Sequence, residues 1–249
     1  MVLGSASAGS HDAALPGLRP RLHAREIFSA RRCTASCSFN PHSKIVLEED
    51  AFAEQVMQKV SALGLGLVTR NRKQATALLT KMAVLTCVPG DVVETGVFTG
   101  GSSAVIMRVL MDMDECDRKY WAFDSFEGLP DPKAEDASGT MQTGARGAYT
   151  ATQETFTTNM KALDAWDDRV RVVKGWFNES IPSVVDQIAS ISFLRLDGDL
   201  YQSTMDVLNL LYDKMGPGGC ACPRHGHCIV ACLCLLMCAV RFASRSDLC

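Results

Sequence analysis

Apolar positions along this chain fall into two alternating patterns. After the acids Glu48, Glu49 and Asp50, which suit the positive end of a helix dipole, Phe52, Val56, Val60 and Leu63 repeat at helical spacing until Gly64 and Gly66 interrupt them. A second helix is predicted over residues 71–85, closed by the Pro89-Gly90 turn. Short apolar runs then predict strands over 91–94, 120–123, 170–173 and 191–196, with helices over 102–113, 181–188 and 203–215. Short apolar strands separated by helices imply an α/β fold with a Rossmann-like parallel sheet and helices on both faces. Residues 131–150 are polar, rich in Gly, Ala and Thr, and without periodicity. A loop of that length inside a domain reads as a lid.

Composition divides the chain into three parts. Residues 1–44 carry Arg19, Arg21, Arg25, Arg31, Arg32 and Lys44 against only Asp12 and Glu26, and are rich in Ser and Ala. This suits a disordered leader or an organelle transit peptide. The expected location is therefore the cytoplasm, or an organelle if the leader targets one. Residues 45–219 form the predicted domain, and 220–249 a cysteine-dense tail holding seven of the eleven cysteines. Cys33, Cys37, Cys87 and Cys116 lack ligand-like spacing, and reduced thiols are expected. A net charge of −3 argues against a nucleic-acid partner. The longest apolar run, 228–240, falls short of the roughly 18–20 residues of a membrane span. A small-molecule partner is the remaining expectation, with self-association into a homo-oligomer left open.

Three segments carry chemistry. In Glu94-Thr95-Gly96-Val97-Phe98-Thr99-Gly100-Gly101-Ser102, a strand ends in an acid and enters a glycine-rich turn, and Ser102 is placed to cap the next helix. The spacing is not the G-x-G-x-x-G of a dinucleotide site. The glycines admit close backbone approach, the helix start favours a carboxylate, and Glu94 could receive an ammonium group. That combination suits the methionine end of S-adenosylmethionine. Asp124 ends the next strand, where an acid can accept hydrogen bonds from ribose hydroxyls or cap its own loop. Asp197 and Asp199 leave a buried strand with Gly198 between them. They could help hold Mg²⁺, one could act as base toward a hydroxyl, or Asp199 could cap the following helix.

Glu94-Thr95-Gly96-Val97, Phe123-Asp124-Ser125-Phe126-Glu127-Gly128-Leu129-Pro130, Gly175-Trp176-Phe177 and Leu196-Asp197-Gly198-Asp199-Leu200-Tyr201 occur in that order. Together they resemble the macrocin O-methyltransferase (TylF-type) family over about 150 residues, 69–219. The resemblance implies a class I methyltransferase sheet and a Mg²⁺-assisted, S-adenosylmethionine-dependent enzyme that methylates a hydroxyl of a sugar or related small molecule. It assigns Glu94 and Gly96 to the methionine end, Asp124 and Ser125 to the nucleoside, Gly175 and Trp176 to the adenine region, and Asp197 to the metal and the substrate hydroxyl.

The pattern departs from the family after Met215-Gly216-Pro217-Gly218-Gly219. There the family continues into a buried strand ending in paired aspartates that complete the metal site. This chain reads Cys220-Ala221-Cys222-Pro223-Arg224-His225-Gly226-His227-Cys228, with no acid until Asp247. The expectation is that the last strands and part of the metal site are missing. Residues 220–249 then read as a soft-metal site, a palmitoylated segment or, foremost, an aberrant C-terminus from an altered reading frame or unspliced intron. The second functional reading is accordingly a truncated, non-catalytic relative that binds S-adenosylmethionine only.

Overall fold

Apolar spacing becomes an alternation of helices and strands in the computed structural model, which describes residues 51–138 and 144–223. Two helices come first: α1 (Ala51–Ala62) and α2 (Arg70–Leu85). The sheet region follows as β1 (Asp91–Thr95), α3 (Gly101–Asp112), β2 (Tyr120–Asp124), α4 (Gln153–Ala162) and β3 (Val170–Lys174). It is completed by the single-turn α5 (Phe177–Ser180), β4 (Ile191–Leu196), α6 (Tyr201–Leu211) and β5 (Met215–Pro223). The five strands are all parallel, in the order β3-β2-β1-β4-β5.

Strand side chains alternate between two cores, as the two-residue period requires. Val92, Tyr120, Ala122 and Phe193 pack with α1, α2, α3 and α4 on one face. Val93, Trp121, Phe123 and Leu194 pack with Ile181, Ile188 and the α6 residues Val207 and Leu211 on the other. The α/β architecture with both faces covered is therefore as expected.

Four local expectations change. Residues 181–188 form a turn and a short 3₁₀ segment, Val185–Gln187, rather than a helix. Pro182 lacks the amide a helix interior needs, and Val184 and Val185 are β-branched. The helix expected over 203–215 starts earlier, at Tyr201, and Met215 opens β5. α4 was unforeseen; Thr152 starts it, its Oγ1 accepting from the Thr155 amide at 3.0 Å. Cys87 and Cys116 are disulfide-bonded rather than reduced.

The composition change at Gly219 does not coincide with the end of an element. Cys220, Ala221, Cys222 and Pro223 pair with Phe193, Leu194, Arg195 and Leu196 of β4. Cys220 and Cys222 are partly buried within β5. The leader at 1–44 and the tail beyond Pro223, with the readings attached to them, lie outside the described residues. Among the described residues no helix is long and apolar enough to cross a membrane.

Candidate active site

In a parallel sheet the carboxyl ends of the strands and the loops leaving them gather on one edge. Here main-chain hydrogen bonds stitch those ends together. The Asp197 amide donates to Thr95 O at 2.9 Å, the Gly96 amide to Phe123 O at 2.8 Å, and the Gly175 amide to Asp124 O at 2.9 Å. Above this floor opens a cavity of about 370 Å³. Of the residues predicted to form the site, Gly96, Gly101, Ser102, Asp124 and Ser125 line it. So do Gly175, Trp176, Asp197 and Asp199, which brings four separated segments to one cavity.

Glu94, Thr95 and Gly100 do not line the cavity. Glu94 is fully buried beneath it. Its Oε1 accepts from Ser102 Oγ at 2.5 Å and from Arg195 Nη1 at 3.0 Å. Its Oε2 accepts from Ser103 Oγ at 2.7 Å and from the Tyr120 hydroxyl. A carboxylate offers about four acceptor sites, and protein donors fill them, so a ligand ammonium cannot bind it directly. Thr95 is buried, with its Oγ1 donating to Arg195 O at 3.3 Å. Gly100 takes φ +89° at the start of α3, and a side chain there would press on Phe156 and Met160. The predicted cap is also corrected: Gly100 holds the cap position of α3, and the Ser102 hydroxyl goes to Glu94 instead.

Asp124 does what a loop-capping aspartate does and also reaches the cavity. Its Oδ2 accepts from the Val97 and Phe98 amides at 2.9 and 3.0 Å, and its Oδ1 from the Phe126 amide at 2.8 Å. One acceptor site remains in an ideal carboxylate. Asp199 lies in the left-handed region, φ +63°, and does not cap α6. The first α6 amide, of Tyr201, donates instead to Asp136 Oδ1 at 2.7 Å. Asp136, Asp131, Lys133 and Tyr149 bring the predicted lid segment to the cavity wall.

Arg195 has no role predicted from sequence and does not line the cavity, yet it is buried against it and bridges Glu94 and Asp197. Its Nη1 donates to Glu94 at 3.0 Å and to Asp197 Oδ2 at 2.7 Å, with only 5% of its side chain exposed. Burial alone would weaken its hold on a proton. The Asp197 and Glu94 carboxylates outweigh that and hold its pKa above the ordinary range. Burial, reinforced by Glu94, pushes the Tyr120 phenol well above its usual value. The only sequence signal for Arg195 was a cation inside the apolar run Phe193-Leu194-Arg195-Leu196. The loop Gly66-Leu67-Val68 also joins the wall unforeseen; it passes close to the start of α3, where a side chain at Gly101 would meet Leu65 O at 2.7 Å.

The described lining carries seven acidic side chains against one lysine, Lys133, so the cavity suits a ligand of positive charge. A family described as macrocin O-methyltransferase (TylF) matches residues 19–225. Demethyldecarbamoylnovobiocin O-methyltransferase of Streptomyces niveus is 39% identical over 135 residues, 53% of this chain and 51% of that protein. Mycinamicin III 3''-O-methyltransferase of Micromonospora griseorubida is 37% identical over 150 residues, 58% of each chain. The match thus spans little more than half the length of these relatives. Among solved structures, the O-methyltransferase NovP superposes with a TM-score of 0.55 at 28% identity, covering 71% of this chain and 72% of that one.

Proposed function

The chain belongs to the macrocin O-methyltransferase (TylF) family, and we propose that it transfers the methyl group of S-adenosylmethionine to a hydroxyl of a sugar or related small molecule. The observation that carries this reading is the acid-lined cavity, which joins the glycine-rich turn and Asp124 to Asp197 and Asp199. S-adenosylmethionine bears a sulfonium and an ammonium against one carboxylate, and so matches a negative cavity. Gly96 and Gly101 offer it main chain, Asp124 and Ser125 the nucleoside contacts, and Trp176 an aromatic wall. Glu94 supports this end from below.

The transfer is a displacement at carbon. A carboxylate takes the hydroxyl proton, the oxygen forms a bond to the methyl carbon, and the sulfur–methyl bond breaks. Its electron pair returns to sulfur, leaving S-adenosylhomocysteine and a methyl ether. The family resemblance placed Asp197 at the substrate hydroxyl. The ion pair with Arg195 fits that residue to hold the β4–α6 turn, and we assign the proton to Asp199. The protein's contribution is positioning and electrostatics. The described parts of the 131–150 segment serve to exclude water.

The magnesium that the family resemblance implies does not fit the residues present. Mg²⁺ takes about six oxygens in near-octahedral order. Among the described residues no group of three or more His, Cys, Asp or Glu could hold a metal ion. No step is assigned to one.

Calorimetric titration with S-adenosylhomocysteine tests the reading at its base, with saturable binding expected. Asp124→Ala should weaken it about 10- to 100-fold, the worth of one hydrogen bond to a charged group. Unchanged affinity would remove Asp124 from the cofactor site, and no binding by the parent chain would reject the reading. Demethyldecarbamoylnovobiocin and mycinamicin III, which the relatives' names carry, are suitable first acceptors. With whichever is turned over, Asp199→Asn should lower kcat about 10²- to 10⁴-fold while cofactor binding persists. A loss below tenfold would return the proton to another group. Cofactor binding without turnover of any acceptor favours the second reading, a relative that binds S-adenosylmethionine without transferring its methyl group.

A further inference from the structure

We infer that the carboxylate pair leaving β4 holds no resident divalent cation, because Arg195 already supplies the positive charge that such an ion would bring to Asp197. The inference deepens the transferase reading and rests on it. Arg195 Nη1 lies 2.7 Å from Asp197 Oδ2, and neither side chain is more than 9% exposed. The same nitrogen holds Glu94, so the guanidinium cannot swing away without stranding a fully buried carboxylate. An ion bound at Asp197 would sit beside this fixed cation in a poorly solvated site, where repulsion is weakly screened.

The donor set points the same way. Asp197 and Asp199 are the two carboxylates at the end of β4, and one of them already serves a guanidinium. Among the described residues no group of three or more His, Cys, Asp or Glu could hold a metal ion, whereas Mg²⁺ takes about six oxygen ligands. In this chain the charge that neutralises Asp197 is therefore covalently part of β4. It is present before any ligand arrives.

Mn²⁺ shares the oxygen preference of Mg²⁺ and is paramagnetic, so its free signal in electron spin resonance reports binding directly. Titrated into the full chain, with and without S-adenosylhomocysteine, Mn²⁺ should keep its free signal. Binding that survives Asp197→Asn and Asp199→Asn lies elsewhere and leaves the inference standing. Stoichiometric binding abolished by either substitution overturns it. S-adenosylhomocysteine affinity should be equal in EDTA and in Mg²⁺, and a tenfold loss on chelation also overturns it. Arg195→Gln should gain Mn²⁺ binding, a response that a purely structural guanidinium would not give; no gain rejects the part assigned to Arg195. Should that variant fail to fold, Glu94→Gln with Arg195→Gln removes the stranded carboxylate and carries the same test. A chain that binds no S-adenosylhomocysteine fails the transferase reading, while the Mn²⁺ titration still decides the cation.

Discussion

Arg195→Met is expected to destabilise the domain by about 3–5 kcal/mol, the usual cost of breaking a buried ion pair from one side. The substitution roughly conserves volume and leaves two carboxylates behind. Glu94 would remain fully buried with three hydroxyl donors and no counter-charge, and Asp197 would lose its 2.7 Å partner. Against a typical total stability of about 5–15 kcal/mol, that loss moves the urea midpoint far down with little change in slope. Arg195→Lys keeps the charge but presents a point donor to two acceptors, so it should recover only part of the loss. Adding Glu94→Gln to Arg195→Met should recover stability as well, because the stranded charge is then gone. A midpoint for Arg195→Met close to that of the parent would mean that water or relaxation solvates the two acids.

The second large effect is expected at Gly96, where β1 ends. A Cβ there would lie 2.1 Å from Asp197 O and 2.7 Å from Asp197 C, and the residue takes φ +82°. Both contacts are main chain, so no side chain can yield. Gly96→Ala must push β1 and β4 apart at the point where the Asp197 amide reaches Thr95 O. Left-handed strain costs roughly 1–2 kcal/mol and overpacking about 1–3 more. S-adenosylhomocysteine binding should be lost together with stability, since Gly96, Asp197 and Asp124 share the cavity. Gly147→Ala is the matched control. That glycine also has positive φ, +76°, but meets nothing within 4 Å, so it pays for strain alone. Equal losses at the two positions would show that the steric contact at Gly96 carries no weight.

Much of this architecture could be read from the residue pattern, for a physical reason. Parallel strands buried on both faces read as nearly continuous apolar runs, and 191–196 was delimited at both ends on that basis. β1, β2 and β3 each run one residue further than predicted, to Thr95, Asp124 and Lys174. Main-chain pairing continues past the last apolar side chain. α4 was hidden because its buried side chains are few, Phe156 and Met160, among threonines and polar residues. β5 was hidden because Gly216, Pro217, Gly218 and Gly219 read as a turn, yet the pairing with β4 carries it through. Glycines and acids at strand ends announced the cavity. The link between Glu94 and Arg195 spans 101 positions and closes only when β1 lies beside β4. No local pattern encodes that meeting.

The cavity floor is built from main chain, through the Asp197–Thr95, Gly96–Phe123 and Gly175–Asp124 hydrogen bonds. Amide and carbonyl groups are common to every residue but proline, so such a floor is indifferent to many side-chain changes around it. The walls differ in kind: Leu67, Val68, Leu129 and Tyr149 stand on loops, where variation is cheap. On the proposed transferase reading, acceptor choice can therefore drift by changes in the walls while the transfer chemistry stays where it is. A scaffold of this kind is open to retargeting, and its wall loops are where an engineer would begin.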